Sequence, residues 1–115
     1  MNNIKLERLN HTYQEVISKI LMMEVKDNDI KFVTITDVDV TNDLSFAKVY
    51  YTVLDREKIN STAEALEKAA PFIRTKLAEE VDIRHTPELR FIYDKSIAYG
   101  EHIDEIIEKI NEKKD

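Results

Sequence analysis

Between residues 61 and 80 the sequence reads as one amphipathic helix with a fault at its centre. Ser61 and Glu64 have the spacing of a capping box, and Ala69-Ala70-Pro71 interrupts the apolar stripe before Phe72-Ile73-Arg74 resumes it. Pro71 has no amide hydrogen, and inside a continuous helix its ring meets the carbonyl of Glu67, at a cost of about 3 kcal/mol. Proline is comfortable at the first position of a helix, and the residue before it avoids helical dihedrals. The expectation is a helix over 62–80 broken at Ala70, with a second helix starting at Pro71.

The chain has 115 residues, 43% of them hydrophobic, which is enough for one core. This predicts one domain over residues 1–115, with an ordered core over about 4–110. There is no cysteine, so disulfides and thiolate metal or redox sites are excluded, which fits a reducing compartment. No cleavable signal and no run of roughly 20 apolar residues is present, so no membrane partner is expected and a cytoplasmic location is. The single glycine, Gly100, excludes a P-loop, a dinucleotide-binding turn and the Gly-x-x-Gly clamp of ordinary KH modules.

Net charge is −6, which argues against a surface that is basic throughout. Residues 27–47 carry Asp27, Asp29, Asp37, Asp39 and Asp43 against Lys31 alone, while 68–90 hold Lys68, Arg74, Lys76, Arg84 and Arg90 among several acids. The pattern permits a bipolar surface.

Leu9, Tyr13, Val16, Ile17 and Ile20 form a helical stripe that predicts a first helix at about residues 3–24. Phe32 to Val40 has the composition of a strand, but Val33 and Ile35 are out of phase with Val38 and Val40, so a bulge is expected near Thr36-Asp37. Thr41-Asn42-Asp43 marks a turn, and Ala47, Val49, Tyr51 and Val53 alternate with polar residues as the second arm of a hairpin. After the broken helix, Leu89 to Asp94 forms a third strand with Leu89, Phe91 and Tyr93 inward, and Ile103, Ile106, Ile107 and Ile110 define a terminal helix. The fold class is α+β: a two-layer sandwich, order α-β-β-α(kink)α-β-α, with a three-stranded mixed sheet and helices on one face. The other face shows Thr34, Lys48, Thr52 and Arg90.

A second helix starting at Pro71 would aim its first amides and positive dipole end at the break, where Arg74 and Lys76 join them as a phosphate site. The alternative is an ordinary helix start with Arg74 paired to Glu67 or Glu79. Asp37, Asp39 and Asp43 do not match a calcium loop, and His11, His85 and His102 are too scattered for a zinc site, so no metal is expected. Ser18, Ser45, Ser61 and Ser96 lack a nucleophile setting, and neither catalysis nor a cofactor is expected.

Val33-Thr34-Ile35-Thr36-Asp37-Val38, Asp43-Leu44 with Ala47-Lys48-Val49-Tyr50, Phe72-Ile73-Arg74, and Arg84 followed by Pro87-Glu88-Leu89-Arg90-Phe91 and Asp94 together resemble the ribosome-binding factor A family over roughly residues 4–110. The resemblance implies a type II KH-like fold whose glycine loop is replaced by an interhelical kink of pattern Ala-x-Gly. The matching positions are Ala69, Ala70 and Pro71, so proline stands where the family has glycine and cannot donate a bond to phosphate. It further implies binding to the immature 30S subunit and its 16S rRNA, near the 5′ region and the decoding region; a monomer is expected. Late maturation and growth in the cold would be assisted without catalysis. The candidate RNA-binding residues are Lys68, Ala69, Ala70, Pro71, Arg74, Lys76, Arg84 and Arg90, with Lys5, Arg8 and Lys48 as further positions. The alternative function is a protein-interaction module using the open sheet or an edge strand.

Overall fold

The computed structural model describes residues 3–30 and 32–95. Helix α1 (Asn3–Met23) leads into strands β1 (Val33–Val40) and β2 (Phe46–Val53), a short 3-10 turn at Arg56–Lys58, helix α2 (Ile59–Glu80) and strand β3 (Glu88–Tyr93). β1 and β2 pair antiparallel, β2 and β3 pair parallel, and the strand order is β1-β2-β3. Among the described residues this is the expected mixed sheet with helices on one face. The terminal helix predicted from Ile103, Ile106, Ile107 and Ile110 lies outside the described residues. No helix of the described residues is long and apolar enough to cross a membrane.

The core lies between sheet and helices. Tyr13, Ile17 and Ile20 of α1, and Leu66, Ile73 and Leu77 of α2, meet Ile35, Val38, Val40, Ala47, Val49, Tyr51 and Leu89 of the sheet. The out-of-phase apolar residues of β1 all reach this core because the register shifts between Ile35 and Asp37, as the sequence predicted. A bulge strands backbone carbonyls, and Gln14 Nε2 answers here by donating to the carbonyls of Ile35 (3.2 Å) and Thr36 (3.4 Å). Asn10 Oδ1 accepts from the Val40 amide at 2.9 Å, so α1 is pinned along β1 at two points.

The hairpin turn manages without glycine. Leu44 sits at φ 61°, a left-handed conformation unfavourable for a side chain with a Cβ, and is only 8% exposed. Its burial against the core offsets the strain. The Asp43 carboxylate accepts from the Ser45 amide (3.0 Å) and the Thr41 hydroxyl (2.8 Å), and these bonds hold its pKa below the ordinary 3.8.

Two expectations about α2 are corrected. The helix runs unbroken from Ile59 to Glu80 with Pro71 inside it, so Ala70 is helical and no second helix starts at Pro71. Thr62, Leu66, Ile73 and Leu77 are each fully buried and form one stripe only if the helix is continuous. Burying Ile73 and Leu77 contributes on the order of 1.5–3 kcal/mol each, which outweighs the local penalty of proline. Pro71 and Glu67 both lie on an exposed face, where a carbonyl left without its helical donor costs least. The second correction concerns the capping box: Ser61 lies within the helix and its hydroxyl donates to the Lys58 carbonyl at 3.2 Å. Asp55 caps instead, accepting from the Glu57 amide at 3.0 Å ahead of the 3-10 turn that leads into α2. Thr62 Oγ1 donates to the Asp29 carbonyl at 2.6 Å and fixes the first turns of α2 to the α1–β1 connection.

The Tyr13 hydroxyl is buried without a hydrogen-bond partner among the described residues, and burial pushes its pKa up to about 12. Since this pKa lies above the usual 10.0, the neutral phenol's stabilising effect is full below pH 10 and is lost as pH rises toward 12. Tyr13→Phe is therefore expected to unfold at an equal or higher urea concentration, with a gain of up to about 1 kcal/mol, and to lose part of the alkaline decline. Replacing Pro71 with alanine restores the missing α2 bond and should raise stability by roughly 1–3 kcal/mol in the same assay. A fall in stability on Pro71→Ala would contradict the continuous helix.

Candidate nucleic-acid interface

A groove of about 530 Å³ lies where α2 crosses β3. Ala63, Glu67, Ala70, Pro71 and Arg74 line one wall, and Glu88, Leu89, Arg90 and Phe91 the other. The first set follows steps of four, three, one and three, a second stripe on α2 beside the buried one. One helix thus presents one stripe to the core and another to the groove.

β3 forms the second wall as an edge strand. Its pairing with β2 begins with the Glu88 amide donating to the Ser45 carbonyl (3.0 Å) and ends with the Asp94 amide donating to the Tyr51 carbonyl (2.7 Å). In a parallel ladder alternate residues face the partner strand, so Leu89, Phe91 and Tyr93 turn their backbone groups away from β2. Beyond β3, the Asp94 carboxylate also accepts from Thr36 Oγ1 at 2.6 Å, which ties this end of the strand to the β1 bulge.

The predicted phosphate site at Pro71 is not assembled. Inside a continuous helix the amides following Pro71 belong to the helical ladder, so α2 presents no N-terminus at Pro71. Arg74 pairs neither with Glu67 nor with Glu79; its Nε and Nη2 donate to the Thr86 carbonyl at 3.2 and 2.8 Å and fasten the 81–87 connection to α2. Lys76 projects from another side of the helix, 3.5 Å from Glu24 and 3.7 Å from Glu79, with its ammonium 5.7 Å from the centre of the Phe72 ring. Lys5 and Arg8 lie in the first turns of α1, which packs along β1 at the opposite edge of the sheet. Lys68 and Arg84 are exposed, Ala69 and Ala70 half-buried.

Lys48 and Arg90 do come together. They are register partners on β2 and β3, both exposed on the sheet face turned away from the helices. The Arg90 guanidinium carbon sits 3.9 Å from the centre of the Phe46 ring. Sequence reasoning missed Phe46, Glu67 and Glu88. The helical repeat from Ala63 to Arg74 held a signal for Glu67, whereas the Phe46–Arg90 contact depends on a parallel register that spacing alone does not reveal. Chemically, the groove offers the Glu67 and Glu88 side chains, acceptors that repel phosphate and suit N–H or O–H donors. Of the lining cations, Arg74 is held by the Thr86 carbonyl and Arg90 lies over Phe46.

The ribosome-binding factor A family model matches residues 5–107. The chain belongs to the ribosome-binding factor A family. A ribosome-binding factor A of Staphylococcus carnosus (strain TM300) is 46% identical over 114 residues, covering 98% of this chain and 99% of the relative. The crystal structure of ribosome-binding factor A from Thermus thermophilus matches with a TM-score of 0.67 at 24% identity, over 76% of this chain and 94% of that one. A homology model of Thermus thermophilus ribosome-binding factor A, fitted into the cryo-EM map of a complex of 30S with ribosome-binding factor A, matches with a TM-score of 0.66 at 22% identity, over 76% of this chain and 93% of that one. These two establish the shared fold, consistent with a KH-like sandwich, and the family is one of ribosome-binding factors.

Truncating Arg74 should act on stability. Arg74→Ala leaves the Thr86 carbonyl without its charged donors and is expected to cost about 1–3 kcal/mol in urea unfolding. Lys76→Ala removes only partly exposed ion pairs and should cost about 1 kcal/mol or less.

Proposed function

We propose that this chain binds the immature 30S subunit through its 16S rRNA, near the 5′ region and the decoding region, and assists late maturation, including in the cold. It acts in the cytoplasm, as a monomer and a single domain, through binding energy and without catalysis. The observation that carries this reading is the family match over residues 5–107, with a curated relative 46% identical along nearly its whole length. The complex with 30S in the Thermus relative supports the choice of partner.

The groove between α2 and β3 supports a contact mode in which RNA follows β3. Phosphates would pass Lys48, Lys68, Arg84 and Arg90, while base N–H groups or ribose hydroxyls would meet the acceptors of the groove. With no amide hydrogen at Pro71, the groove does not reproduce a glycine phosphate cradle. The edge of β3 also favours one second reading, in which an extended peptide pairs with the outward groups of Leu89, Phe91 and Tyr93.

Sedimentation with small subunits separates the two readings. Under the first, affinity falls steeply with salt because phosphate contacts release counterions, and Lys68→Glu with Arg84→Glu weakens binding at least roughly tenfold without lowering the melting temperature. Precursor subunits should be retained in preference to mature ones. A partner protein captured equally well after complete RNA digestion, with no salt-sensitive subunit binding, would transfer the function to the peptide reading.

A further inference from the structure

Arg74 and Arg90 both line the groove and are used in opposite ways. Two hydrogen bonds to the Thr86 carbonyl commit Arg74 to the fold. Arg90 is exposed, with its guanidinium 3.9 Å above the half-buried Phe46 ring. Guanidinium groups stack on aromatic faces through one side and leave the opposite side available for another π system. Phe46 restrains Arg90 before any ligand arrives, which lowers the ordering cost of a second stacking contact.

The surroundings define the ligand. Register places Lys48 beside Arg90, and Tyr50 follows Lys48 two residues on, half-buried on the same face. Asp39 stands opposite Lys48, and Glu88 opposite Phe46, so the positive charge is local and not a broad field. Such a patch is poorly suited to duplex backbone, which needs many cations in a row, and well suited to one splayed nucleotide.

We infer that Arg90, held over Phe46, is a stacking platform for an unpaired RNA base, with Lys48 taking the adjacent phosphate. The inference rests on the RNA-binding function proposed above and adds a contact on the outer sheet face. Arg90 also borders the α2–β3 groove, so a strand leaving the groove reaches the platform by passing around the edge of β3.

The test compares the whole chain's affinity for a single-stranded RNA of about eight nucleotides with that for an abasic ribose-phosphate oligomer of equal length. The base-bearing oligomer should bind roughly fivefold to tenfold more tightly. Arg90→Lys keeps the charge but loses the planar face, so this ratio should fall to about one while the abasic affinity stays within about twofold. Phe46→Leu should do the same, and Lys48→Gln should weaken both oligomers alike. A ratio preserved in Arg90→Lys at an unchanged melting temperature, or no base preference in the wild type, would overturn the platform. Sedimentation separates the levels: a wild-type chain that binds small subunits but ignores bases loses only the platform, whereas one that binds no subunits loses the RNA-binding reading as well.

Discussion

The architecture depends on the burial of one continuous apolar stripe along α2. Leu66, Ile73 and Leu77 are wholly excluded from solvent and share a core with Val49, Tyr51 and Leu89 of the sheet. The alignment of Leu66 with Ile73 crosses Pro71. If the chain broke there, the later half of the stripe would leave the sheet, the 81–87 connection would lose its anchor at Arg74, and β3 would no longer face Ala63 and Glu67. Groove and core are thus two consequences of the same helix.

Much of this arrangement was legible in the sequence. The stripe of α1, the bulge near Thr36-Asp37, the hairpin and the inward set Leu89, Phe91 and Tyr93 all follow from periodicities of 3.6 and 2, which hold where one face is buried. The α2 break was misread because the rule for proline is local, whereas the burial that overrides it is tertiary. The start of α2 was misplaced because Ser61 and Glu64 fit a capping pattern, while the chain had already turned at Asp55. The fate of Arg74 was hidden for a related reason: its acceptor is a carbonyl in an irregular connection, and sequence patterns report acidic partners better than backbone acceptors.

Pro71 changes what a groove at this position can do. Where the resemblance places a glycine able to donate a hydrogen bond, this chain has a ring with no donor and a neighbouring carbonyl, that of Glu67, released from its helical partner. Donor has been exchanged for acceptor at one point. With Glu67 and Glu88 on opposite walls, the groove offers hydrogen-bond acceptors, and the phosphate contacts proposed at Lys48, Lys68 and Arg84 fall outside it.

The distribution of cations then determines how recognition works. A protein with a net charge of −6 gains little from long-range steering toward RNA, since its average field is repulsive. Selectivity must come from short contacts formed after encounter, where an oriented guanidinium counts for more than total charge. Arg74 is consumed by Thr86, and Lys76 is shared between Glu24 and Glu79. Arg90 is bound to an aromatic ring, which restrains it without neutralising it. Of these three cations, it combines fixed position with unspent charge, which is why the proposed nucleotide contact falls on the outer face of the sheet and not at the proline corner.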